Sequence, residues 1–377
     1  MSYPLRAVVS GLAIALSLSA CGKKEEAPAA GTQPAAEEKV LNLYIWNDYL
    51  AEDTIPNFEK ETGIKVFVSN YGSNEELDAK LAAGSTGYDI VVPSASMYER
   101  QIKSGYYQKL DKSKLPNLKS MDPEIQARLA LQDANNDHAV LHMWGTTGIG
   151  YNVEKVKAAM PNAPVDSWSL VFDPAVAKRF EKCGVAVLDS ATEMFSMVLA
   201  YLGKDPNSQD QKDLEAASEA MMKFRPLLRY IDTQRMITDL ANGDICVAVG
   251  YNGDILQARD RAEENKTGQE IAYTIPKEGS IIWFDSYTIP KDAPHPNNAH
   301  LFIDYMLRPE VIGAVSNFTN YANGNSQALE FVDEAVKGDP GVYPPTEVRA
   351  KLAPDLADTE ETTRFMTRTW QRFMTGQ

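Results

Sequence analysis

The chain has 377 residues, a formal net charge of −15, four histidines and three cysteines. That acidity opposes nucleic acid and anionic lipid as partners and mildly favours cationic ligands through electrostatic steering. The length is large for one core, so two domains are expected, and so few histidines argue against a histidine-built metal centre.

The first twenty residues read as a lipoprotein signal peptide. Arg6 supplies a positive start, and Ala7 to Ser19 form an apolar run too short to cross a membrane. Leu18-Ser19-Ala20-Cys21 matches the lipobox pattern, in which Cys21 is acylated and becomes the mature N-terminus. Lys23, where an aspartate would retain the protein in the inner membrane, favours the outer membrane. Residues 21–38, rich in Lys, Glu, Ala and Pro without periodicity, read as a disordered tether.

The folded body then alternates strand and helix. Leu41, Leu43 and Ile45 alternate with Asn42 and Tyr44, the pattern of a half-buried strand. A helix follows, opened by Asp53 or Thr54 and closed by Gly63. Next come a strand over 64–68, a helix capped by the Ser73-x-x-Glu76 box, an apolar strand over 88–92, and a helix from Ser96 to near Gly105. This βαβαβα order predicts a parallel sheet. Strands are expected over 138–144 and 148–152, joined by Gly145-Thr146-Thr147 as a crossing between domains. A second series has strands near 183–188, 245–249 and 271–275. Its helices are expected over 191–202, 214–224, 234–241 and 255–264. The strand 281–289 returns to the first domain, and a terminal helix runs from Glu360 to Phe373. The expected fold class is α/β in two lobes. The first takes 40–147 and 287–317, and the second takes 148–286 and 318–377. Cys183 and Cys246 remain as an even pair in an exported chain, both in strand-like contexts, and are expected to form a disulfide.

Four stretches place aromatics, carboxylates or both at a strand end or beside a glycine turn. They are Trp46-Asn47-Asp48-Tyr49, Gly250 to Asp254 with Tyr251, Trp283-Phe284-Asp285, and Phe318 to Tyr321. Glu193 at a helix start and Ser94 after a strand stand in comparable positions. Ligands of open α/β sheets sit beyond strand ends. Aromatic faces with several carboxylates suit a slender organic cation, whose ammonium ends pair with the acids while its body lies on the rings. Read singly, Asp254 is also a helix cap and Trp283 also a core residue. Catalytic patterns are missing: there is no Gly-x-Ser-x-Gly elbow, phosphate-binding loop or dinucleotide fingerprint. His138-x-x-x-His142 has metal spacing only on a helix, and it lies in a strand pattern.

From about Val40 to Gln377 the chain resembles the periplasmic polyamine-binding proteins of bacterial ABC importers. The resemblance rests on Trp46 to Tyr49, Glu59 to Val66, Leu81 to Gly87, Val92 to Ser96, Thr146 to Asn152 and Leu240 to Asp244. It implies a two-lobed type II periplasmic-binding fold with a ligand cleft between lobes, and a monomeric receptor that is not an enzyme and needs no cofactor. It also implies a polyamine ligand, an inner-membrane ABC permease as partner, and contact with the membrane only through the lipid anchor. By motif position the ligand residues are Trp46, Asp48, Tyr49, Ser94, Ser96, Glu193, Tyr251, Asp254, Trp283, Asp285 and Tyr321. Asn47, Tyr251 and Met97 depart from common family choices, and Trp283 resembles the spermidine-preferring members. The alternatives are a receptor for another cationic solute and a polyamine sensor.

Overall fold

A computed structural model of the chain describes residues 37–376. The signal peptide, Cys21 and residues 21–36 of the tether lie outside the described residues. Glu37 and Glu38 do not behave as tether. The Glu37 carboxylate accepts from the backbone N–H groups of Asn297 and Asn298 at 3.0 Å, at the start of the helix Pro296–Met306. The first amides of a helix have no partner within it, and an anion there satisfies them.

The first series follows its hydrophobic pattern. In β1 (Val40–Trp46) Leu41, Leu43 and Ile45 are buried. Two parallel neighbours flank it, β2 (Lys65–Tyr71) and β3 (Ile90–Val91). Ser73 caps the helix Asn74–Ala83 by accepting from the Glu76 N–H. The helix Ala95–Lys103 starts directly after Ser94.

The centre of the sheet departs from the expectation of two strands joined by a break. Residues 139–152 form one strand, β4 (Ala139–Asn152). The later strands are β5 (Val185–Val187), β6 (Tyr230–Ile231), β7 (Val247–Tyr251), β8 (Ile271–Thr274), β9 (Ser280–Thr288) and β10 (Leu352–Pro354). The sheet order is β2-β1-β3-β9-β4-β7-β5-β6, with β10 beside β9 and β8 beside β4. Residues 139–146 of β4 pair antiparallel with β9, and its far end pairs with β7 and β8. One strand therefore belongs to both halves.

Two hydrophobic cores lie along this sheet. Leu43, Phe58, Val91, Tyr98, Phe284 and Phe302 belong to the first; Trp168, Phe180, Phe195, Phe224 and Val249 belong to the second. The chain between Tyr321 and Leu352 joins the first core, although the sequence reading gave 318–377 to the second lobe. Only at Met366 and Phe373, in the helix Glu360–Thr375, does the end of the chain enter the second core. The pairing of β10 with β9 holds this return in place. Among the described residues, no helix is long and apolar enough to cross a membrane.

Cys183 and Cys246 are joined in a disulfide with a Cα–Cα distance of 5.5 Å. They precede the parallel neighbours β5 and β7, so the bond ties the starts of two core strands. For a sequence separation of 63, the loop-entropy relation gives about 4 kcal/mol. With an unfolding entropy of about 2.1 cal/mol/K per residue, the double variant Cys183→Ala/Cys246→Ala should melt on the order of 5 °C lower. Thiol titration of unreduced protein should find neither thiol free; two free thiols would contradict the bond.

Candidate functional site

A cleft of about 490 Å³ opens where residues of both cores meet. All eleven residues expected from the sequence line it. Their convergence follows from the topology. Trp46 ends β1, Ser94 follows β3, Tyr251 ends β7, and Trp283 and Asp285 lie on β9. Glu193 stands in the first turn of the helix Ala191–Tyr201, and Asp254 in the first turn of Asn252–Glu264. Asp254 is thus not the residue that precedes its helix; that place belongs to Tyr251.

The aromatics form a continuous edge-to-face wall. Tyr251 and Trp283 have centroids 5.7 Å apart, Trp283 and Tyr321 5.1 Å, and Tyr321 and Tyr49 5.7 Å. Such contacts fix ring orientation beyond the area they bury. Trp283 belongs to the first core and to the cleft lining at once. Gly253 is required beside Tyr321, because a Cβ there would collide with the phenol ring. Trp46 faces Tyr71 at 4.5 Å, and its Nε1 donates to the Val92 carbonyl at 2.9 Å. Asp48 is exposed at the rim, in left-handed backbone with φ +51°.

The carboxylates are held by hydroxyl groups. Asp285 accepts from Ser94 Oγ at 2.7 Å and from the Tyr49 hydroxyl at 2.9 Å. Asp254 accepts from the Tyr321 hydroxyl at 2.9 Å, and Glu193 from Thr147 Oγ1 at 2.5 Å. The sequence reading missed a fourth acid. Asp355, just after β10, lines the same cleft and accepts from Ser96 Oγ at 2.5 Å. No aromatic adjoins it in sequence, and Leu352-Ala-Pro-Asp355 gives no sign of pairing with β9. No aromatic–acid stretch therefore marks it.

Asp285 is buried, and Glu193, Asp254 and Asp355 are half-buried in the cleft wall. Among the described residues none of the four makes an ion pair. Burial pushes the Glu193 carboxyl up to about 8, against the Thr147 hydrogen bond and with help from the charge of Asp355. It pushes Asp285 up to about 7 and Asp254 and Asp355 up to about 6. Hydroxyl donors stabilise the ionised forms only in part, so desolvation dominates. Among the described residues, no group of three or more His, Cys, Asp or Glu is placed to hold a metal ion. His138 instead faces Asp133, with Nδ1 2.9 Å from Oδ1.

Comparison with known proteins agrees with this architecture. Residues 54–344 match the family model of the bacterial extracellular solute-binding proteins. The chain belongs to that family. The putrescine-binding periplasmic protein of Pseudomonas aeruginosa is 49% identical over 351 residues, covering 92% of this chain and 95% of that one. The putrescine-binding periplasmic protein of Escherichia coli is 49% identical over 345 residues, covering 91% and 93%. A solved structure, a putative spermidine/putrescine ABC transporter from Listeria monocytogenes, superposes with a TM-score of 0.80 at 30% identity. It covers 90% of this chain and 100% of that one. The two-lobed α/β binding-protein fold expected from the sequence is the fold observed. In this solute-binding protein the cleft carries acids in excess, and Arg100 of its lining pairs with Asp78 rather than with any of the four.

This excess fixes the pH dependence of the ligand-free protein. A carboxyl whose folded pKa is raised stabilises the fold while it is protonated, and that contribution is lost as pH rises through the folded value. Between pH 6.5 and 8.5, Glu193 and Asp285 lose their protons. Buried His142, held down to about 3 by desolvation, opposes the trend only below its unfolded value near 6.5. Ligand-free melting temperature should therefore fall across pH 6.5–8.5. Asp285→Asn should flatten that slope and melt higher than the parent at pH 8.5. A slope unchanged by the substitution would contradict this assignment.

Proposed function

We propose that the chain is a periplasmic receptor that captures a polyamine, putrescine or spermidine, and delivers it to an inner-membrane ABC permease. The observation that carries this reading is the set of four hydroxyl-held carboxylates in one aromatic-walled cleft, none of them ion-paired among the described residues, while Arg100 of the lining is taken by Asp78. A diffusible ligand with two or more ammonium groups supplies the missing charge. Asp285, with Glu193 and Asp355 near it, serves one pole, and Asp254 with rim Asp48 serves the other. Tyr49, Tyr251, Trp283, Tyr321 and Trp46 flank the methylene chain, while Ser94 and Ser96 hold the acids in place. The names of the 49% identical relatives support the same ligand class. The chain acts as a monomeric receptor rather than an enzyme, anchored to a membrane through acylated Cys21.

Calorimetric titration tests the reading. Wild-type protein should bind putrescine or spermidine and ignore common amino acids. Removing one partner of a buried charge pair costs about 2–5 kcal/mol, so Asp254→Asn and Asp285→Asn should each weaken binding roughly 30-fold to several-thousand-fold. Trp283→Ala loses ring contact without orphaning a charge and should cost about 1–3 kcal/mol. Affinities within threefold of wild type for both aspartate variants would overturn the assignment.

A further inference from the structure

His142 is fully buried and does not line the cleft. It sits where the β4–β9 ladder slips: Leu141 pairs with Ser286 and Met143 with Asp285, leaving His142 as the extra residue of a β-bulge. Bulges re-aim side chains and concentrate near functional sites. Here the imidazole is aimed at Tyr49. Its Nε2 lies 3.0 Å from the Tyr49 carbonyl oxygen, and its ring meets the Tyr49 ring edge-on at 4.8 Å. A carbonyl only accepts, so Nε2 carries the proton and Nδ1 is the free acceptor. The Tyr287 hydroxyl donates to that nitrogen at 2.7 Å. Two partners thus fix one neutral tautomer.

The contacts close a circuit. Tyr287 and Asp285 are two residues apart on β9 and share a face of the sheet. Asp285 receives the Tyr49 hydroxyl, Tyr49 presents its carbonyl to His142, and His142 receives Tyr287. Without the imidazole, the carbonyl of a buried residue beside a left-handed turn at Asp48 would lose this donor.

We propose that His142 is a positioning residue of the ligand site. From the bulge it holds the Trp46–Tyr49 loop so that the Tyr49 hydroxyl stays on Asp285, and it thereby sets how readily Asp285 ionises against an ammonium group. The ammonium part of this statement rests on the polyamine reading above; the effect on Asp285 does not. Asp285 also faces the charges of Glu193 and Asp355 and the phenols of Tyr71, Tyr98, Tyr251 and Tyr321. None of these touches His142 through a hydrogen bond among the described residues.

The test uses His142→Leu, His142→Gln and the volume-conserving Tyr287→Phe. The Asp285 carboxyl is titrated by carbon NMR in ligand-free protein, and putrescine and spermidine are titrated by calorimetry. His142→Leu should raise the Asp285 pKa on the order of one unit, because a hydrogen bond to its ionised form is lost, and should weaken binding about tenfold. His142→Gln, whose amide still donates to the Tyr49 carbonyl, should recover to within threefold. Tyr287→Phe should move both readouts the same way by less, and it stands in should His142→Leu fail to fold. In a Tyr49→Phe background, His142→Leu should add less than twofold. An Asp285 titration that none of the variants moves, or losses that simply multiply in the Tyr49→Phe background, would overturn the proposal. Wild-type protein that binds no polyamine would overturn the ligand reading, and the carboxyl titration would still decide the role of His142.

Discussion

Four acids held in one cleft by hydroxyl groups, and making no ion pair among the described residues, are the constraint on which this structure turns. A folded protein avoids half-buried carboxylates without counter-ions, because desolvation disfavours the charged form. Here the hydroxyl groups of Ser94, Tyr49, Tyr321, Thr147 and Ser96 satisfy them only as neutral donors can. The remaining electrostatic need is left for a ligand. Stability is thus conceded at the site and recovered when a cation arrives, which is the usual relation between binding function and local strain. Binding to the folded state alone then stabilises the whole chain by mass action.

The rest of the fold brings these acids together and keeps them in register. Each core is assembled from βα units, and the shared strand β4 with its partner β9 runs through the middle. β9 carries Trp283 and Asp285 to the cleft floor, so ring and acid are placed by the same ladder. Gly145 on β4 faces Trp283: a Cβ there would strike the indole and Asn252. The disulfide ties the starts of β5 and β7, and Glu37 caps the helix Pro296–Met306.

Much of this was legible in the sequence because it is local. Period-two apolarity marked β1, and a Ser-x-x-Glu box marked the helix Asn74–Ala83. The aromatic–acid stretches marked the ring wall and two of its acids, Asp254 and Asp285, because ligand groups sit at strand ends. What escaped was non-local. Gly145-Thr146-Thr147 looks like a break in sequence, yet it is extended strand, and the small size of Gly145 is demanded by Asn252 and Trp283 across the sheet. The segment after Tyr321 looked like part of the second lobe until the pairing of β10 with β9 drew it to the first core. Asp355 arrives in the cleft by that same pairing. His142 is legible only once the bulge opposite Asp285 is known.

Glu193 and Asp285 hold protons at pH 6.5 until a cationic ligand displaces them, and counting the protons released on binding tests this. Calorimetry of polyamine binding at pH 6.5, repeated in buffers of different ionisation enthalpy, yields the number of protons exchanged. With carboxyls raised to about 8, 7, 6 and 6, binding should release roughly one to two protons per ligand at pH 6.5 and fewer at pH 8.5. Proton uptake, or no exchange at either pH, would contradict it.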